Sequence, residues 1–144
     1  MKRFLLLPIA LALACCAIAG ANAGRKPFAV IVHKANKLDS LSRSQLNVIF
    51  LRKVSRWPWG AETFPIDLPD VSPVRRAFLE TILNKSAQEL AIYWIDQRVT
   101  RNVSAPIQAP DAAAVKALVA SRPGAIGYIP AEAVDPTVKV IEVK

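Results

Sequence analysis

The stretch Asp111-Ala-Ala-Ala-Val-Lys-Ala-Leu-Val-Ala-Ser-Arg-Pro-Gly-Ala-Ile-Gly-Tyr-Ile129 reads as one helix joined to one strand by a tight turn. Asp111 stands where an N-cap side chain accepts from first-turn amides. Val115, Leu118 and Val119 recur at the spacing of a buried helical stripe. Arg122-Pro-Gly124 then ends the helix, because proline breaks it and glycine opens the turn. Ala125 to Ile129 follows as a short apolar strand. Gly124 and Gly127 lack the spacing of a phosphate-cradling loop and suit a close helix-to-strand turn.

Outward from this unit the same alternation continues. Phe28-Ala-Val-Ile-Val-His33 is a β-branched run of strand length, buried on both faces if central. Ser42 opens a helix with Leu46, Ile49 and Phe50 on one face. Thr63 to Asp67 is a second strand. Ser72 starts a helix running to about Leu83, with Pro73 at its first position, where a missing N–H costs nothing. Phe78, Ile82 and Leu83 form its apolar face. Ser86 and Glu89 make a capping box for the next helix, whose buried side is expected to hold Leu90, Tyr93, Trp94 and Ile95. Thr100 to Pro110 reads as a loop. Val138 to Val143 alternates apolar and polar residues and reads as an edge strand. The strands at 28–33, 63–67, 125–129 and 138–143 are expected in one mixed or mostly parallel sheet with helices on its faces, an α/β domain.

Residues 1–23 have the parts of a secretory signal. Lys2 and Arg3 precede an apolar run from Phe4 to Ala14, and Ala21-Asn-Ala23 offers a small-x-small cleavage site. The run is shorter than the ~20 apolar residues of a spanning helix. No stable membrane span is therefore expected after cleavage, and the protein is expected in the periplasm as residues 24–144, one domain. Leu13-Ala-Cys-Cys16 offers a second reading, a lipoprotein anchored at Cys16. Cleavage after Ala23 removes both cysteines, so disulfide and thiolate chemistry is then excluded. Without Lys2 and Arg3, 17 basic residues face 11 acidic ones, a net charge of +6. That balance favours anionic partners. The basic residues are scattered among acidic ones, which argues against nucleic acid.

No catalytic set stands out, and no cofactor or metal is expected. His33 is the only histidine, and no hydrolase, zinc-protease, Walker or dinucleotide motif occurs. One segment has chemical promise. Asp70-Val-Ser-Pro-Val-Arg-Arg76 leads from a strand into a helix, whose first amides and positive end favour an anion. The Ser72 hydroxyl can donate to an oxyanion, and the guanidinium of Arg75 or Arg76 can bind it in a fork. The plainer reading makes Ser72 only an N-cap and leaves Arg75 solvated or paired with a carboxylate such as Asp70 or Glu80. Trp57, Trp59 and Phe64 could form a ligand platform, but such residues more often pack beneath a loop.

Four segments resemble the phosphate ABC-transporter substrate-binding proteins. Val30-Ile-Val-His33 with Leu41-Ser-Arg-Ser-Gln-Leu-Asn-Val-Ile-Phe50 is similar to that family's V-V-N-x-x-N-P-V-x-x-L-S-x-x-Q-L-x-x-I-F segment. Trp57-Pro-Trp-Gly60 with Phe64-Pro-Ile-Asp67 resembles W-x-x-G-x-P-I-x-P-V. Ser72-Pro-Val-Arg75 with Phe78 resembles S-G-T-R-x-x-F, and Arg122-Pro-Gly-Ala-Ile-Gly-Tyr-Ile129 resembles N-P-G-A-I-G-Y-V. The resemblance implies a single lobe of a type II periplasmic binding protein-like fold, a mixed sheet flanked by helices. It implies Ser72, the Val74 N–H and Arg75 as contacts to phosphate or another oxyanion. Pro73 and Val74 replace the family's glycine and threonine, and Leu68 stands where some members place a ligand arginine. These departures weaken capture. Two non-enzymatic roles follow. One is a receptor-like lobe that binds an oxyanion weakly. The other is an accessory module whose former cleft face contacts an envelope protein or a transporter.

Mass spectrometry of the exported protein is expected to find Gly24 at the N-terminus; an acylated Cys16 would contradict the cleavage reading.

Overall fold

The computed structural model describes residues 26–144, so residues 1–23, read above as a secretory signal, and both cysteines lie outside the described residues. β1 (Phe28–Val32) and β5 (Ala125–Pro130) form the centre of a six-stranded sheet. β3 (Phe64–Asp67) and β4 (Ile107–Gln108) extend it on the β5 side, and β6 (Lys139–Val143) and β2 (Ser40–Leu41) on the β1 side. The order is β2-β6-β1-β5-β3-β4. β1 runs antiparallel to β5 and β6, whereas β3 runs parallel to β5 and β4, and β2 parallel to β6. The four expected strands share this one sheet, and it is mixed. Central β1 and β5 are apolar and almost wholly buried, whereas β6 keeps the alternation of a half-exposed strand. β2 and β4 are two residues each; their backbone bonds come from neighbours that bring them alongside.

Among the described residues four α-helices cover the sheet: α1 (Arg43–Phe50), α2 (Pro73–Phe78), α3 (Ala87–Arg101) and α4 (Ala112–Ser121). Ser42, Ser72, Ser86 and Asp111 each cap one of them through a side-chain oxygen. Ser42 adds a reciprocal bond from its own amide to Gln45, a second capping box beside that of Ser86 and Glu89. α2 does not stay α-helical to Leu83. From Leu79 to Leu83 it widens into a π turn, which ends at Asn84 in the left-handed conformation. Phe78, Leu79, Ile82 and Leu83 are all buried there. α3 departs further from expectation: Leu90 is buried and Tyr93 and Trp94 are half-buried, but Ile95 is 66 % exposed.

Successive residues of a strand point to opposite faces, and β5 uses this to seat one helix on each. A Cβ at Gly127 would lie 2.7 Å from Val115 Cγ1 of α4. The neighbouring Tyr128 ring stacks on Phe78 of α2 at 3.9 Å, with Phe28 and Phe50 closing around the pair. Gly124 is held by close approach as well. A Cβ there would lie 2.0 Å from the Glu62 carbonyl oxygen, and its own carbonyl accepts from Phe64 N and Trp57 Nε1. Both glycines of the Arg122–Ile129 segment are thus places where other atoms fill the side-chain volume.

Gly124→Ala is expected to cost about 1–3 kcal/mol and lower the melting temperature by about 5–15 °C. Thermal denaturation followed by circular dichroism checks this, and an unchanged midpoint would contradict the contact with Glu62.

Candidate functional site

The mouth of α2 is built where β3 ends. Asp67 is the last residue of that strand, and Pro69 forces the chain out of the sheet. Ser72 N donates to Pro69 O, closing a turn, and Ser72 then caps α2 by accepting from Arg75 N at 3.3 Å. Pro73 occupies the first helical position. Val74 follows, its side chain packed against the core and its amide in the first turn, where helix N–H groups lack intrahelical partners. Ser72, Val74 and Arg75 therefore do share one mouth. The Ser72 oxygen is already an acceptor there, and its hydroxyl proton is what remains for a ligand.

Arg75 does not project into solvent. It is 5 % exposed, and its Nε donates to Asp67 Oδ2 at 3.1 Å. Its Nη1 meets Asp70 Oδ1, also at 3.1 Å. Asp67 is itself buried, with Oδ1 accepting from Leu68 N and from the Tyr128 hydroxyl. Asp70 lies three-quarters exposed and is approached by Gln108 Nε2 at the edge strand. Two carboxylates thus share one guanidinium, and Glu80 takes no part in these contacts. Burial, then the Asp67 charge and hydrogen bond, push the Tyr128 hydroxyl well above the ordinary phenol range. Tyr128 therefore stays a neutral donor, which suits its position beside an ionised carboxylate.

Asp67 and Tyr128 are the residues that reading the segment alone does not find. The available signal was the apolar strand end at Asp67, a position where a charge requires a partner.

The aromatic residues after α1 behave as packing. Trp57 is buried, and Trp59 stacks on it at 5.3 Å and 2°. Arg122 lies 4.2 Å over the Phe64 ring. His33 closes a local turn, with Nδ1 accepting from Ala35 N. Among the described residues no group of three or more His, Cys, Asp or Glu side chains could hold a metal. No described helix is long and apolar enough to cross a membrane.

No protein-family model and no curated protein matches the chain. Solved structures do. A Clostridium perfringens structure described as a phosphate ABC transporter substrate-binding protein with bound phosphate is 29% identical, with a TM-score of 0.66 over 81% of this chain and 44% of that one. An ABC-type phosphate transport receptor from Vibrio cholerae is 21% identical, with a TM-score of 0.66 over 81% and 46% of the two chains. PstS from Borrelia burgdorferi is 15% identical, with a TM-score of 0.63 over 82% and 47%. The last two share the fold. The chain spans less than half the length of each structure.

Tyr128→Phe is expected to cost about 1–3 kcal/mol at neutral pH, by leaving Asp67 short of a donor. The wild type should also lose stability above pH ~10, where an unfolded tyrosine releases a proton that the folded one retains. Denaturant melts across that range should show a flatter alkaline arm for the variant; an equally steep one would contradict the environment described for Tyr128. In sequence motif and in structure alike, the chain resembles the phosphate ABC-transporter substrate-binding proteins and has the fold of a single lobe of them.

Proposed function

We propose that this is a non-enzymatic, substrate-binding-type lobe of the cell envelope that holds phosphate or a similar oxyanion weakly at the mouth of α2. The observation that carries the reading is the likeness to the Clostridium perfringens structure with bound phosphate. The strand-to-helix mouth with Ser72, the Val74 amide and Arg75 supports it chemically. The anion would meet a hydroxyl donor, a first-turn N–H and the positive helix end. Export through residues 1–23 would place the lobe in the periplasm, where a transporter would be its partner.

Three features argue for weak rather than tight binding. Pro73 supplies no N–H. The guanidinium of Arg75 is already matched by Asp67 and Asp70. A site on a single lobe leaves the anion wet on one side, so salt and water screen each contact. Millimolar affinity, about 4 kcal/mol, is the expected scale, against about 8 kcal/mol for a micromolar site.

A second reading has one observation in its favour. Val71, directly before Ser72, is 88 % exposed, and Ile107 on edge strand β4 is 45 % exposed. Apolar side chains at such a rim suit a protein partner. In that reading the face docks an envelope protein and the anion is lost.

Titration with inorganic phosphate at low salt, followed by NMR on the backbone amides of Ser72 and of residues 74–76, tests the choice. Saturable shifts at millimolar phosphate are expected. Ser72→Gly keeps an acceptable cap while removing the hydroxyl, and should weaken the response severalfold. Amides that stay still in tens of millimolar phosphate would sink the anion reading and leave the docking one.

A further inference from the structure

We infer that the outer face of α3 is a self-association surface that pairs two copies of this chain with their α3 helices parallel. The inference is independent of the anion reading, since α3 lies outside the Ser72 mouth. Among its 15 residues α3 buries only Leu90. Tyr93 and Trp94 are half-buried against the core, and Tyr93 Oη donates to Leu51 O. The opposite side is apolar too: Ile92 is 60 %, Ile95 66 % and Val99 80 % exposed. These three fall at i, i+3 and i+7, one stripe of a helix. A helix of this length is marginal in water without a packed face, and this one carries two apolar faces with only one covered by the lobe.

The charges beside the stripe indicate the occupant. At about 100° per residue, Glu89 and Asp96 lie roughly 70–90° to one side of the stripe, and Arg98 roughly 90° to the other. All three are exposed. A face with an acidic flank and a basic flank is complementary to itself when a two-fold axis runs along the helix. That operation sets the acidic flank of each copy opposite the basic flank of the other. Asp96 and Arg98 differ by about 3 Å along the axis, within side-chain reach. An antiparallel pair would instead face like charge with like. Arg98 is partly ordered already, donating to Ser104 Oγ at 2.6 Å. Three aliphatic side chains make a patch smaller than the ~1,600 Å² standard interface, so the pair should be reversible, dissociating at roughly tens of micromolar.

Sedimentation of the exported chain, with its N-terminus read by mass spectrometry, tests this. The wild type should pass from monomer to dimer as concentration rises. Ile95→Asp should weaken association at least tenfold with an unchanged melting curve, because the site is exposed. Asp96→Arg and Arg98→Asp should each weaken it severalfold, and an equimolar mixture of the two should restore a dimer, since positions 96 and 98 are then both basic in one copy and both acidic in the other. A wild type that stays monomeric to millimolar concentration overturns the inference. So does a mixture that fails to associate. Association only while residues 1–23 are retained overturns it, as does a monomer that binds anionic vesicles through Ile95.

Discussion

The guanidinium of Arg75 holds together the end of β3, the middle of β5 and the start of α2. It bonds Asp67, which in turn accepts from Tyr128 and from the Leu68 amide. Burying a charge is costly, and a buried pair is tolerable only when its remaining hydrogen-bonding capacity is met. Here it is met on the carboxylate by two further donors, the Leu68 amide and the Tyr128 hydroxyl. Removing Arg75 would leave Asp67 without its cation in a nearly dry place, which is far worse than losing an exposed pair. The geometry of the α2 mouth therefore follows from this network, and Ser72 stands where Asp67, Pro69 and Arg75 together put it.

The same network limits what the mouth can do. Two carboxylates on one guanidinium leave Arg75 itself no spare positive charge, despite the basic balance of the whole chain. An incoming oxyanion must compete with Asp70, the exposed member of the pair, or settle for Ser72, an amide and the helix end. The apolar scaffold below does not adjust to help. Phe78 and Tyr128 are stacked, and Gly127 admits Val115 without room to spare. Packing of that density moves little, so the contacts at the mouth are close to what a ligand would find.

Much of this architecture was legible because the local signals agreed with one another. The helix starts at Ser42, Ser72, Ser86 and Asp111, the buried runs of β1 and β5, and the turn at Arg122-Pro-Gly124 each have a short-range cause. The strands of two residues do not, since no periodicity exists over such a length. The π turn after Phe78 answers to the fit of Leu79 and Leu83 into the core, a tertiary demand. Ile95 was misplaced because a helix with apolar residues on two sides gives no local sign of which side meets the core. The site was legible only in its contiguous part. Asp67 lies 8 residues from Arg75 and 61 from Tyr128, and only folding brings the three together.

Arg75 belongs to the fold first and is engaged by its two aspartates whether or not an anion is present. Nitrogen NMR of the Arg75 side chain, recorded without phosphate and then with it in excess, tests this most directly. A slowly exchanging Nε–H is expected, with a resonance that barely moves on adding phosphate. A large shift of that resonance, with rapid exchange in the free protein, would mean that Arg75 leaves Asp67 for the anion, and would contradict it.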